Sequence, residues 1–135
     1  MQFYFIRHAQ SANNLLHDQT GTWDNMTDDP ELTDTGVEQA RLLAAHLAET
    51  RDIVPRQRWD PFNARAFILT HLCASPMVRA AHTASLVGQA IGMSPVLWEE
   101  LHECGGLYLD GANGEKIGQP GKNRAWFEER FPSLT

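Results

Sequence analysis

The sequence predicts an α/β fold with a mostly parallel sheet, because short apolar runs alternate with stretches of helical period. Three runs carry the strands: residues 2–6, 66–70 and 96–98. Each stops at polar or turn-forming residues, and their aromatic and β-branched content favours strand over helix. Two stretches of apolar residues spaced by three and four, residues 37–47 and 77–91, supply the helices between them.

Taken in order, residues 2–6 read as a buried strand ending at Arg7-His8-Ala9-Gln10-Ser11. Residues 12–30, rich in Asn, Asp and Thr, read as a loop or a short irregular helix. The next helix opens over residues 32–38, where Thr35 and Glu38 have capping-box spacing. Val37, Ala40, Leu43, Ala44 and Leu47 give it one apolar face. Residues 50–65 carry Arg51, Arg56, Arg58 and Arg65, broken by Pro55 and Pro61. They read as a solvated loop, with a substrate-facing basic rim as the sharper alternative.

Residues 66–70 form the second buried strand. Ser75 and Pro76 then suit a helix cap and first helical position. Met77, Ala80, Ala84, Val87 and Ile91 make the apolar face of that helix, and Gly92 ends it. Residues 96–98 are a short third strand. Six of the ten glycines, with Pro120, fall in residues 105–122, which read as a long mobile loop. Residues 123–131 form a last helix that Pro132 ends.

At 135 residues and 42% hydrophobic content the chain makes one domain. A domain of that size buries roughly two-thirds of its unfolded surface without a disulfide or metal staple. The net charge of −6 and pI near 5.4 argue against nucleic-acid or anionic-membrane partners, which select a basic face. Cys73 and Cys104 form neither a CxxC nor a disulfide framework. No apolar run approaches membrane-spanning length, and the amino terminus lacks the pattern of a secretory leader. The expected location is the cytoplasm.

The chemistry gathers at strand ends, where open α/β sheets bind ligands. His8 is placed there as a candidate nucleophile. Arg7 beside it offers a planar fork to phosphate oxygens. Ser11 adds a hydroxyl and Asn14 an amide. Arg79, on the first turn of the helix after Ser75-Pro76, adds a second guanidinium near a helix end that itself favours anions. Glu103 is a candidate proton donor to a leaving oxygen, a role for which Glu99 and Glu100 compete. No zinc-ligand spacing occurs, and Gly121-Lys122 fails the phosphate-loop pattern.

Three blocks carry a family resemblance. Arg7-His8-Ala9-Gln10-Ser11 with Asn14 resembles the Arg-His-Gly-x-Thr/Ser signature of the histidine phosphatase superfamily, the phosphoglycerate-mutase-like fold. Leu32-Thr33 through Gly36 to Gln39-Ala40 resembles its Leu-Thr-x-x-Gly-x-x-Gln-Ala. Ser75-Pro76-Met77-Val78-Arg79-Ala80 with Thr83-Ala84 resembles its Ser-Pro-x-x-Arg-Ala-x-x-Thr-Ala. Glu103-Cys104-Gly105-Gly106 is similar, more loosely, to a later acidic block.

The resemblance implies a three-layer sandwich with helices on both faces of the sheet, its carboxyl-terminal part missing. It implies His8 as the phosphorylated nucleophile, Arg7 and Arg79 as phosphoryl ligands, Ser11 and Asn14 lining the pocket, and Glu103 as proton donor. No metal or other cofactor is implied. The substrate would be a small phosphorylated molecule.

Two departures from the family pattern matter. The family's second histidine stands in a His-Gly pair, and no such pair occurs here. His71 precedes Leu72, His82 follows Arg79 by three, and His17, His46 and His102 have no strand before them. The chain also ends where family members typically continue for another third of the domain. This leaves the amino-terminal part of a longer fold or a natural short form, whose open sheet edge a homodimer would cover. Ala9, where the family has glycine, is a smaller change.

The leading expectation is a metal-independent phosphomonoester hydrolase working through a phosphohistidine. A non-catalytic phospho-ligand binding module is the alternative from another class. Phosphoglycerate mutase activity, with a phosphorylated resting enzyme, is the third.

Overall fold

The computed structural model describes residues 3–51, 67 and 69–135. They form a mixed α/β structure with four helices, α1 (Ala12–Thr20), α2 (Asp34–Arg51), α3 (Val78–Ile91) and α4 (Arg124–Arg130). Four short strands accompany them: β1 (Cys73–Ala74), β2 (Val96–Leu97), β3 (Tyr108–Asp110) and β4 (Lys116–Gly118). β1 and β2 pair in parallel across α3, with Cys73 opposite Val96, as the βαβ pattern predicts. β3 and β4 form a separate antiparallel hairpin. The described residues thus hold two two-stranded sheets.

α3 is the organising helix. One side packs against α2 through Ala44, Leu47, Val87 and Ile91, with Phe67 completing the cluster. The other side sets Ala81 against Phe127, Phe131 and Leu134 of α4 and the carboxyl end. Gly88 lets β2 return closely, since a Cβ there would press on Met93 O and the Pro95 ring. The chain end reinforces β2, with Leu97 N donating to Thr135 O and Thr135 N to Pro95 O, both at 2.9 Å.

Several expectations are corrected. Residues 3–6 are not a buried strand. Phe3 is 71% and Phe5 94% exposed, while Tyr4 alone turns inward, its ring edge 5.1 Å from Phe67. An apolar run is buried on both faces only when layers cover both, and among the described residues only the Tyr4 side is covered. In the second expected strand, Phe67 and Leu69 carry no ladder, and Ala66 and Ile68 lie outside the described residues. Pairing falls instead on Cys73–Ala74, where β2 lies alongside and Val96 N reaches Leu72 O at 2.9 Å. The arginine-rich connection also lies outside the described residues, apart from Arg51 at the end of α2.

Helix starts shift by a residue or two. Thr33, not Thr35, caps α2, its Oγ1 accepting from Gly36 N at 3.0 Å. α3 begins at Val78 with Met77 in the cap position, and Ser75 Oγ accepts from Met77 N instead of capping a helix at Pro76. Residues 12–20 are a regular helix, closed at Gly21 in the left-handed conformation. The glycine-rich stretch contains the β3–β4 hairpin rather than a structureless loop, because Gly114 supplies the positive φ that its turn needs. α4 starts at Arg124 and is capped by Asn123, whose side chain accepts from Trp126 N.

Candidate active site

The segment carrying His8 has no ladder of its own, so side chains from two helices hold it. Ala9 N donates to Thr83 Oγ1 of α3 at 3.2 Å, and Gln10 N to Gln39 Oε1 of α2 at 2.9 Å. Thr33 N closes on Gln10 O at 3.0 Å, and Ala12 N on Glu31 O at 2.9 Å. α2 approaches so closely that a Cβ at Gly36 would collide with Gln10 O. That collision is the physical content of the glycine in the Leu-Thr-x-x-Gly block.

His8 is half-buried with both ring nitrogens engaged. Nδ1 lies 2.7 Å from Ala9 O, a group that only accepts, so Nδ1 carries the proton. Nε2 therefore keeps its lone pair, and Arg79 Nε donates to it at 3.1 Å. Burial holds the His8 pKa below the ordinary 6.5. The Ala9 carbonyl opposes that shift, Arg79 and Arg7 add to it, and Glu103 opposes it. A neutral imidazole with an unprotonated Nε2 is the form that a nucleophile requires.

Arg79 is the hub. Its side chain is 9% exposed, and Nη2 donates to Glu103 Oε2 at 2.6 Å and to Met77 Sδ at 3.1 Å. Nη1 stands 3.9 Å from Asp29 Oδ1. Glu103, 68% exposed, is the only one of the three competing glutamates that reaches Arg79 among the described residues. Glu99 and Glu100 sit exposed on the preceding 3₁₀ turn, Glu99–Leu101.

The structure thus brings His8, Arg79 and Glu103 together. Arg7 shares with His8, Gln39, Leu43 and Thr83 an open cleft of about 210 Å³ that Arg79 and Glu103 do not line. Ser11 and Asn14 are placed differently: their side chains bond each other. Ser11 N and Oγ both donate to Asn14 Oδ1, at 3.1 and 3.0 Å, forming a capping box at the start of α1. Among the described residues neither bonds to His8 or Arg79. A second cleft, over Pro76, Leu97 and Phe127, holds none of these residues.

Sequence reasoning missed two contributors. Thr83 belongs to a motif but carries no chemistry of its own; it works by joining Ala9 N to Arg79 O, to which its hydroxyl donates at 2.8 Å. Asp29 stood in a stretch of turn-forming residues where an acidic side chain is ordinary punctuation. Its partner, Val78 N, is 49 positions away, and no spacing rule connects them.

A family model describing the histidine phosphatase superfamily (branch 1) matches residues 3–55 and 60–133, and the chain belongs to that family. The match extends past the Ser75–Ala84 block to the end of α4 and beyond. A search of curated proteins gives no match to the chain.

Proposed function

We propose that the protein is a phosphomonoester hydrolase acting through a phosphohistidine at His8. The observation that carries this reading is the His8–Arg79 contact, a lone pair on Nε2 with a guanidinium directly beside it. In the proposed reaction Nε2 attacks phosphorus as the bond to the ester oxygen breaks. Arg79 and Arg7 take the charge of the phosphoryl oxygens, which is most of what catalysis of this transfer requires. The departing oxygen takes a proton from Glu103, which gains it from the phosphoester monoanion as that anion displaces the carboxylate from Arg79. Water, giving a proton back to Glu103, then attacks phosphorus, the N–P bond breaks, and inorganic phosphate leaves with Nε2 restored.

Asn14, its oxygen turned to Ser11, offers its amide N–H groups to a phosphoryl oxygen. Ser11 keeps the loop in shape for it. In this reading the domain is the three-layer sandwich of the family, the substrate is a small phosphoester, the protein is cytoplasmic, and a homodimer covers the exposed Phe3, Phe5 and Ile6. No described helix is long and apolar enough to cross a membrane.

One observation favours a second reading, binding of a phospho-ligand without transfer. The sequence has no His-Gly pair, and among the described residues no second histidine bonds to His8 or Arg79. Quenching the protein during turnover of a labelled aryl phosphate separates the two. Hydrolysis predicts an acid-labile phosphoryl-protein that His8→Ala does not form. Phosphate binding with no captured intermediate and no turnover supports the binding module.

A further inference from the structure

Arg79 is a buried cation, and a buried cation keeps its place only when paired. Its short ion pair is with Glu103, which is mostly exposed and sits between a 3₁₀ turn and a hairpin. An incoming phosphoryl group competes for the same guanidinium face, so Glu103 cannot be what fixes Arg79 while substrate is bound. The other carboxylate is Asp29. Its side chain is only 2% exposed, its Oδ1 accepts from Val78 N at 2.9 Å, and the same oxygen stands 3.9 Å from Arg79 Nη1. Its Oδ2 is buried with no hydrogen-bond partner among the described residues. A carboxylate kept buried and half-satisfied costs stability, which makes sense where its charge has a task.

We propose that Asp29 is a positioning residue for the phosphoryl site: it anchors the first turn of α3 and keeps Arg79 beside His8, facing the phosphoryl oxygens, when Glu103 lets go. This rests on the reading of His8 and Arg79 as the phosphoryl site. Asp29 reaches no substrate. It acts through Arg79, whose guanidinium lies between the carboxylate and the imidazole. Among the described residues the charged groups around His8 are Arg7, Arg79 and Glu103, and of these Arg79 alone is tied to Asp29.

Asp29→Asn tests the assignment, because the amide oxygen still accepts from Val78 N while the charge is gone. Displacing a catalytic group by about an ångström costs on the order of 10²-fold. The expected result is a fall of about 10- to 100-fold in kcat/KM for an aryl phosphate. The His8 titration, followed by NMR without substrate, moves upward as Arg79 withdraws. In an Arg79→Gln background the Asn change then does nothing further to His8. A purely structural Asp29 would lower the thermal midpoint without moving the His8 titration, and that result overturns the proposal. If the Asn variant does not fold, Asp29→Ser, whose hydroxyl can accept from Val78 N, is titrated against the same criterion. Wild-type protein that binds inorganic phosphate but turns nothing over sinks the hydrolase reading, yet the His8 titration still decides on Asp29.

Discussion

His8 was legible because its chemistry lies in one short run: an arginine, a histidine and a hydroxyl residue follow an apolar stretch. What the run did not reveal is the proton's place on the ring, which depends on a backbone carbonyl at Ala9 and on an arginine 71 positions away. The consequence is a pH profile. Because burial and the two arginines hold His8 below 6.5, the unprotonated Nε2 persists into mildly acidic solution. The acid limb of kcat/KM for an aryl phosphate is expected below the value of an ordinary histidine, falling as pH drops through the lowered His8 pKa. A limb at or above 6.5 contradicts the site's electrostatics. Arg79→Lys keeps a charge but loses the fork that meets His8 and Glu103 together, and a loss on the order of 10³-fold in kcat is expected. Glu103→Gln removes the proton donor, with an expected loss of about 10²–10⁴-fold for poor leaving groups and much less for good ones. Equal losses for both leaving-group classes would remove Glu103 from that role.

At the scale of elements, helices were easier to read than strands. α2 and α3 show a clear 3.6-residue period, and the faces expected from it, Ala44 with Leu47 and Val87 with Ile91, are the faces that meet. Their starts were less legible because a cap is one side-chain contact: Thr33 and Thr35 both suit the role by type, and only Thr33 reaches Gly36 N. The β3–β4 hairpin escaped notice because its strands are three residues each, largely exposed, and separated by glycine. Two substitutions test how the elements hold the site. Gly36→Ala drives a methyl into Gln10 O, so α2 or the His8 loop must yield. An overpacking cost of about 1–3 kcal/mol is expected in denaturant unfolding, together with reduced turnover. Full activity with unchanged stability would show that α2 does not set the loop. Phe127→Ala empties the cluster on the far side of α3, with an expected loss of about 3–5 kcal/mol in the same assay.

For the whole molecule, the α/β class and the parallel βαβ unit followed from the alternation of strand-like and helical segments, and the family match covers nearly the whole chain. The solvent exposure of Phe3 and Phe5 was not legible, since an apolar run does not say which of its faces another layer will cover. Stability against pH is a property at this scale. His8 and His82 both lie below 6.5, each chiefly through burial. Below 6.5 the unfolded chain takes up protons that these folded histidines refuse, so they lower stability as pH falls toward their folded values. Asp29 works oppositely: burial raises its carboxyl above 3.8, and its cost at neutral pH is relieved as pH falls through the raised value. Thermal midpoints are expected to drop as pH falls below 6.5 toward the lowered histidine values, and the drop to shrink in His82→Phe, which keeps the ring against Phe131. A drop of the same size in that variant would place its origin elsewhere.

The most direct test of the central claim is hydrolysis of an aryl phosphate in the presence of a metal chelator, comparing the wild-type chain with a folded His8→Ala variant. The account predicts turnover in the first and none in the second. Turnover that survives the loss of His8 would contradict it.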